Sequence, residues 1–484
     1  MHHFWAGAAP GKAVLLDKYK KLITNTLLFA LSSFGSKVLV YLMMPLYTGI
    51  LTPDEYGIIT NIQDTSQLLL PLTCVGITNA IIRFGLDAAC DKKAVFTGGF
   101  AALGIGTALV ALLYPVLCIE PALNGYLWLV YLYVIVSCAR NLCSQFVRAR
   151  QLTRLYAFDG LLNTTLLVVF YVVYLIPCHM GIVGYVLATI TADALSAVFL
   201  IITAKLHRFF EPRSFDRTLF KGMLKYSVPL IPASMFWWIT NASDKKFVLY
   251  MLGAEESGLY AFAYKIPNLL MLVSTLFTEA WQLSAVADAG DGEERSSFFS
   301  KVFAGYQSIL TVGASGIILF SKVFVTILDG SGGEYYGAWR YIPILVIATV
   351  YSCYSSYMSS VYMVEKKSAL NLYTTMAGAA LNLVLNALLI PAFGVNGATV
   401  ATFLSYLLVF VLRVLSSRRY IPFDIHPRRM VFNTVLLFAQ AAILLLGPAW
   451  WIPGCGAIFV LLAAVNFREL LQLAEKLLRR RKKA

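Results

Sequence analysis

Charge is scarce in this chain. Asp, Glu, Lys and Arg make up 13% of its 484 residues, where soluble proteins carry about a quarter, and this excludes an ordinary water-soluble globular protein. Acids are scarcer than bases, 25 against 39, leaving a net charge of +14. The tail Arg479-Arg480-Arg481-Lys482-Lys483 has the look of a nucleic-acid patch. In so apolar a chain, however, Lys and Arg collect in cytoplasmic loops, where they set orientation, and beside the membrane, where they meet anionic headgroups. Membrane lipids are therefore expected partners and nucleic acid is not. Histidine is rare, with 5 residues, and the 8 cysteines form no CxxC pair and no metal-like spacing, so no metal site is expected and the thiols read as buried or incidental. Cys118 and Cys178, both near predicted outer helix ends, are the one pair placed for a disulfide. Phosphate-binding loops and nucleophile motifs are also missing, which leaves no catalytic residue and no cofactor to assign. No cleavable signal is seen: the first apolar run is too long and lacks an A-x-A site. The longest outer loop, 329–337, is about nine residues, so neither side carries a soluble domain.

Apolar length is what the chain has in abundance. Hydrophobic residues reach 59% and mean hydropathy is +0.72. Runs of about 20–30 residues fit membrane-crossing helices, whereas barrel strands need only about 9–11. Fourteen runs lie near 22–50, 56–86, 94–119, 124–148, 156–177, 181–204, 222–252, 255–287, 300–328, 338–364, 369–391, 395–417, 430–448 and 451–471, which predicts an all-α polytopic membrane protein with 14 transmembrane helices. With the N-terminus inside, 31 of the 39 Lys and Arg fall in cytoplasmic loops and tails and the outer loops hold none. Both termini are thus expected in the cytoplasm.

Two short motifs recur in order. Leu51-Thr-Pro-Asp-Glu-Tyr-Gly57 is echoed by Leu252-Gly-Ala-Glu-Glu-Ser-Gly258 after 201 positions, and Leu175-Ile-Pro177 with Gly181-Ile-Val-Gly184 is echoed by Leu389-Ile-Pro391 with Gly394-Val-Asn-Gly397 after about 213. An even repeat of six helices keeps both copies in one orientation, so the halves are parallel repeats enclosing a cavity, as in alternating-access transporters. The expected division is 1–21, a cytoplasmic segment; 22–206, the N-lobe; 207–221, a cytoplasmic linker; 222–421, the C-lobe; 422–471, two additional spans; and 472–484, a basic tail.

With Arg148, Lys225, Lys301, Arg413 and Arg468 near span ends counted among the loop residues, eight basic residues fall inside the predicted spans: Lys37, Arg83, Arg140, Lys245, Lys246, Lys265, Lys322 and Arg340. Each costs about 2.5–3.5 kcal/mol near the bilayer centre, so charges kept there point to an anionic substrate. Helical spacing sorts them. Ser33, Lys37 and Tyr41 are aligned on span one; Thr60, Asp64 and Gln67 on span two; Ser234, Trp238, Asn241 and Lys245 on span seven; Lys265, Asn268, Thr275 and Glu279 on span eight. Lys246 shares a mostly apolar face with Met235, Ile239 and Ala242. Lys37, Lys245 and Lys265 either line a cationic cavity or form ion pairs within the membrane, Asp244 being one such partner for Lys245. Arg83 and Arg140 line the cavity mouth or snorkel to the cytoplasmic edge, and Lys322 and Arg340 snorkel at the outer rim. Asp64, Glu279 and Asp244 are either counter-charges or ion-coupling carboxylates. Asp64 and Lys265 occupy equivalent repeat positions with opposite charge and are placed to face one another.

The stretches Pro45-Leu-Tyr-Thr-Gly-Ile-Leu-Thr-Pro-Asp-Glu-Tyr-Gly57, Gly76-Ile-Thr-Asn-Ala-Ile-Ile-Arg83-Phe84 and Asn241-Ala-Ser-Asp-Lys-Lys-Phe-Val-Leu-Tyr-Met-Leu-Gly253 with Gly258-Leu-Tyr260 resemble the polysaccharide transporter, or oligosaccharide-lipid flippase, branch of the multidrug/oligosaccharidyl-lipid/polysaccharide (MOP) exporter superfamily. The resemblance implies a two-lobed, MATE/flippase-like fold in the bacterial cytoplasmic membrane. It implies transport of an oligosaccharide linked to undecaprenyl pyrophosphate, alongside polysaccharide polymerase and glycosyltransferases. It also implies that spans thirteen and fourteen form a groove for the lipid tail. Independently, a pyrophosphate carries about two negative charges and suits lysines in a low dielectric. The alternatives are a MATE-like drug/cation antiporter, which would want carboxylates at the cavity centre, and a membrane glycan polymerase or ligase, which would want acidic residues on sizeable outer loops.

Overall fold

The structure, a computed structural model, describes residues 39–87, 90–287, 293–365 and 368–481. Lys37 and Ser33 lie outside the described residues. The elements within them are helices: α1 (Met44–Thr48), α2 (Pro53–Thr73), α3 (Ile77–Leu86), α4 (Lys92–Ala111), α5 (Leu127–Ala149), α6 (Thr153–Leu175), α7 (Gly181–Thr203), α8 (Arg217–Ser227), α9 (Ile231–Leu252), α10 (Ala254–Lys265), α11 (Pro267–Ala287), α12 (Glu293–Leu319), α13 (Ser321–Leu328), α14 (Ile342–Val364), α15 (Ser368–Phe393), α16 (Val395–Ser417), α17 (Pro427–Leu446) and α18 (Trp451–Arg481), joined by short turns. Among the described residues ten spans are long and apolar enough to cross a membrane, eleven when the bent pair α2–α3 is counted as one. Shorter apolar helices lie at Leu39–Thr48 and Trp451–Phe467. α9 has the length to cross, at 22 residues, but carries Asp244, Lys245 and Lys246 together. The expected all-α polytopic architecture is what the chain forms.

Several expected spans are interrupted, each for a local reason. Thr52 and Glu55 cap α2 reciprocally, each side chain accepting from the other's backbone N–H at 3.3 and 3.0 Å, with Pro53 at the first helical position. The same span then breaks before α3 with a 48° bend. Gly76 takes a left-handed φ of 63° there, and a Cβ on it would stand 2.8 Å from the Ser227 carbonyl oxygen, so only glycine fits. Cys74 and Cys138 bring their sulfurs to 2.7 Å beside this bend. The run expected over 255–287 is cut at Ile266, because Pro267 has no N–H to continue α10. The run expected over 300–328 divides at Phe320 into α12 and α13. The start expected at 222 for span seven is corrected. Asp216 caps the separate helix α8 by accepting from Thr218 N and Leu219 N, and α9 starts only at Ile231, after Pro229. α18 continues through the tail expected from 472 as far as Arg481. Cys118 and Cys178 are exposed free thiols.

The chain forms two compact units. Among the described residues, one holds Ser66–Ile231 with 39–43; the other holds Met44–Thr65 and those from Pro232 onward. In the first unit, α7 packs against α5 and α6, and Phe96, Phe146 and Phe209 form a chain of ring contacts at 4.5 and 5.4 Å. In the second, α14, α15 and α16 pack together beside an aromatic core in which Trp281 stacks on Tyr357 at 5.1 Å and Tyr306 on Phe277 at 4.5 Å. Each such pair is worth about 0.5–1.5 kcal/mol beyond its buried area. α17 and α18 join this unit through a polar ladder against α12. The Gln440 side chain accepts from Ser315 Oγ at 2.7 Å and donates to the Ser315 and Cys455 carbonyls, while Arg429 pairs with Glu469 at 2.5 Å and donates to Asn466 and Ser308.

Within the second unit the two copies of the first repeat motif meet. A Cβ on Gly57 would stand 2.0 Å from the Ala254 oxygen, and one on Gly258 1.8 Å from the Pro53 oxygen. α2 and α10 therefore cross backbone to backbone at their starts. Tyr335 closes the same end, donating from its hydroxyl to the Leu51 carbonyl at 2.8 Å, and Thr48 donates to the Leu328 carbonyl while accepting from Gly330 N.

Candidate functional site

Below that crossing, α2 and α9 are joined by charge. Lys245 Nζ stands 2.8 and 3.0 Å from the two Asp64 carboxylate oxygens. Lys246 Nζ donates to Thr65 Oγ1 at 2.7 Å, and Trp238 Nε1 to the Asp64 carbonyl at 2.7 Å. The Lys245 and Asp64 side chains keep 20% and 15% of their surface exposed, so the pair is reachable and largely out of water. Consecutive residues on a helix point roughly 100° apart, and both lysines reach α2 because two successive residues there supply acceptors. The expectation that Lys246 belongs to an apolar face is corrected by this contact.

The next carboxylate on α9 has a different setting. Asp244 is 1% exposed and accepts from Asn386 Nδ2 at 2.6 Å, Thr402 Oγ1 at 2.5 Å and Tyr260 OH at 3.3 Å. Asn386 also donates to Asn382 Oδ1, which accepts from Ser243 Oγ at 2.8 Å. Four helices, α9, α10, α15 and α16, converge on one carboxylate through neutral groups. Asp244 is not the ion partner of Lys245. A buried carboxylate that accepts from an amide N–H and two hydroxyls has its charge compensated by neutral donors, and it is a place to hold a proton or a small cation.

The remaining expected residues scatter. Arg140, in the first unit, is held at 3.1 Å by Asp159 and 3.7 Å by Asp193, and its Nε donates to Ser196 at 2.9 Å. Asp193 also accepts from Asn163 and Ser137. Arg140 thus sits in an ion cluster of α5, α6 and α7, with two acids absent from the residues expected at the site. Arg83 lies over the Tyr226 ring of α8 at 4.9 Å. Gln67 Nε2 donates to Tyr133 OH at 3.4 Å, and Tyr41 is half-buried. In the second unit Lys265 ends α10 half-buried, whereas Ser234 and Asn268 are exposed. Asn241 lies on α9 and Glu279 on α11. Lys322 sits over the rings of Trp339 and Trp451 at 4.3 and 4.2 Å, a cation–π setting suited to an interface.

Arg413 is a cation that sequence reading placed among the loop residues. It is 7% exposed within α16 and donates to the Ser355 carbonyl, Ser359 Oγ, Thr374 Oγ1 and Thr375 Oγ1 at 2.6–3.1 Å. The signal was available: Arg413 precedes the helix end by a full turn, and α14, α15 and α16 contain no acid to pair with it.

Comparison with known proteins places these features. The model of the family described as "Polysaccharide biosynthesis protein" matches residues 22–282. An uncharacterized membrane protein of Methanocaldococcus jannaschii is 20% identical over 430 residues, covering 82% of this chain and 98% of that protein. The lipid II flippase MurJ, in an inward closed conformation, superimposes with a TM-score of 0.68 at 12% identity, over 92% of this chain and 100% of that one. An inward-facing multidrug resistance MATE family transporter of the MOP superfamily gives 0.65 at 14% identity, over 80% and 94% of the two chains. A MOP superfamily transporter from Pyrococcus furiosus, described by the reverse polarity of its binding pocket, gives 0.56 at 15%, over 83% and 96%. At these identities the likeness is one of fold, and the fold relatives are transporters rather than enzymes. With more than half of its length matched by the family model, this chain belongs to the polysaccharide biosynthesis protein family.

Proposed function

We propose that the protein is a flippase that carries a polyprenyl-pyrophosphate-linked oligosaccharide across the bacterial cytoplasmic membrane for cell-surface polysaccharide biosynthesis. It works by alternating access between two six-helix lobes in a fourteen-helix fold, with both termini in the cytoplasm. The observation that carries this is Lys245: a largely buried cation on a membrane-length helix, its ammonium matched to a carboxylate that an anionic substrate group can replace. Family membership supports it, as does the fold shared with a lipid II flippase. In this reading Lys37 and Lys265 are further candidate cations for the substrate, and Arg83 and Arg140 are additional ones. Tyr41, Trp238, Ser33, Gln67, Ser234, Asn241 and Asn268 supply ring faces and polar groups for the sugars. α17 and α18, fastened to α12 by Gln440 and Arg429, form the wall along which the lipid tail slides. Asp64 is the counter-charge of Lys245, and Asp244 is the carboxylate that takes up a coupling cation, with Glu279 the remaining candidate.

The test is transport of a lipid-linked oligosaccharide in proteoliposomes. Lys245→Ala is expected to reduce the initial rate at least tenfold, a loss of about 1.4 kcal/mol or more of substrate interaction, while Lys245→Arg keeps part of it. A normal rate for Lys245→Ala at equal protein level refutes the cationic site. One observation favours a second reading, a drug/cation antiporter: the buried carboxylate of Asp244. Uptake of a cationic dye that depends on Asp64 or Asp244 would establish it.

A further inference from the structure

Two kinds of contact hold Met44–Thr65 in the second unit. Near the start of α2 the contact is uncharged: the Gly57–Gly258 crossing, with neutral hydrogen bonds from Tyr335 OH to the Leu51 carbonyl and from Thr48 Oγ1 to the Leu328 carbonyl. At the end of the segment it is polar: Asp64 on Lys245, Thr65 on Lys246, and Trp238 on the Asp64 carbonyl. The next residue, Ser66, already belongs to the first unit. Asp64 and Thr65 are therefore the last residues of the segment that the second unit holds, and two lysines on α9 hold them.

A carboxylate and a pyrophosphate offer a lysine the same charge-assisted hydrogen bond, but the pyrophosphate brings about two charges where the carboxylate brings one. We propose that Asp64 is an internal stand-in for the substrate's pyrophosphate. It occupies Lys245 while the site is empty, and an arriving pyrophosphate displaces it. Repulsion between the two anions then drives Asp64 off α9, releases Met44–Thr65 and loosens the Gly57–Gly258 crossing. This rests on the lipid-pyrophosphate reading above and adds a selection rule: a headgroup without strong negative charge binds without releasing the segment.

The experiment uses the purified full-length protein with farnesyl diphosphate as the probe. Asp64→Asn removes the competitor while keeping the side-chain shape. It is expected to bind the probe about tenfold tighter, the factor for a site otherwise closed roughly nine-tenths of the time, and Lys245→Gln is expected to lose binding. Equal or weaker binding by Asp64→Asn, with normal binding by the parent, overturns the stand-in role and leaves the flippase reading intact. No binding by either protein overturns both. A second readout follows the segment itself. Leu51 is 1% exposed, so Leu51→Cys, in a background carrying Cys90→Ser, Cys118→Ser and Cys178→Ser, reacts slowly with a maleimide. The rate should rise on adding farnesyl diphosphate, and in Asp64→Asn without it. The exchanged pair Asp64→Lys with Lys245→Asp should return labelling to the slow rate. Unchanged labelling in Asp64→Asn overturns the proposal.

Discussion

Arg140, whose side chain keeps 23% of its surface exposed, and Arg413, which is buried, are guanidinium groups with opposite surroundings. Arg140 serves two carboxylates, Asp159 and Asp193; Arg413 has only hydroxyls and a carbonyl. Removing one partner from a buried ion cluster costs about 3–5 kcal/mol, because a charge is left uncompensated. Arg140→Ala should accordingly lower the unfolding midpoint in detergent markedly, and adding Asp159→Asn should recover part of the loss. At Asp244, Asn has the shape of Asp without its charge. Asp244→Asn should leave the fold intact and make transport insensitive to an imposed sodium or proton gradient, measured in proteoliposomes. The sequence made Lys245 and Asp64 legible individually, because intramembrane charge is rare. Their pairing was not legible, since spacing along one helix says nothing of what the neighbouring helix presents. Asp159 and Asp193 were not legible as partners of Arg140, since they lie on α6 and α7 and spacing along α5 does not reveal them.

Helix boundaries followed the chemistry that marks them where that chemistry is backbone-based. Thr52, Pro53 and Glu55 spell a capped helix start, and Pro267 ends α10. α8 was hidden because its apolar side merges with the hydropathy of α9; Asp216 and Pro229 were the available marks. The crossing of α2 and α10 gives a prediction at this scale. Gly57→Leu puts a branched side chain where even a Cβ would stand 2.0 Å from a backbone oxygen. The helices must part, so maleimide labelling of Leu51→Cys should rise, whereas Gly104→Leu, where a Cβ would meet nothing within 4 Å, should leave it unchanged.

For the molecule as a whole, composition was enough to reveal a polytopic helical membrane protein. Breaks such as Val75–Gly76 and Phe320 were not visible, because they lie within continuous apolar runs where hydropathy has no contrast. The placement of Met44–Thr65 with the second unit was equally hidden, since it depends on contacts with α9 and α10 that are distant in sequence. At this scale the last two helices should depend on Gln440. Gln440→Leu leaves the Ser315 and Cys455 carbonyls without their donor, a cost of about 1–3 kcal/mol, and should lower the detergent unfolding midpoint without changing the binding of a short-chain diphosphate.

Shifting residue numbers by 201 turns Pro53 into Ala254 and Gly57 into Gly258, and so maps the contact of Gly57 with Ala254 onto that of Gly258 with Pro53. A contact that exchanges its own partners in this way is what a two-fold axis produces between identical chains. The crossing therefore asks the same of both repeats, a glycine at position 57 and another at 258, since a side chain gained on either one meets the backbone of the other copy.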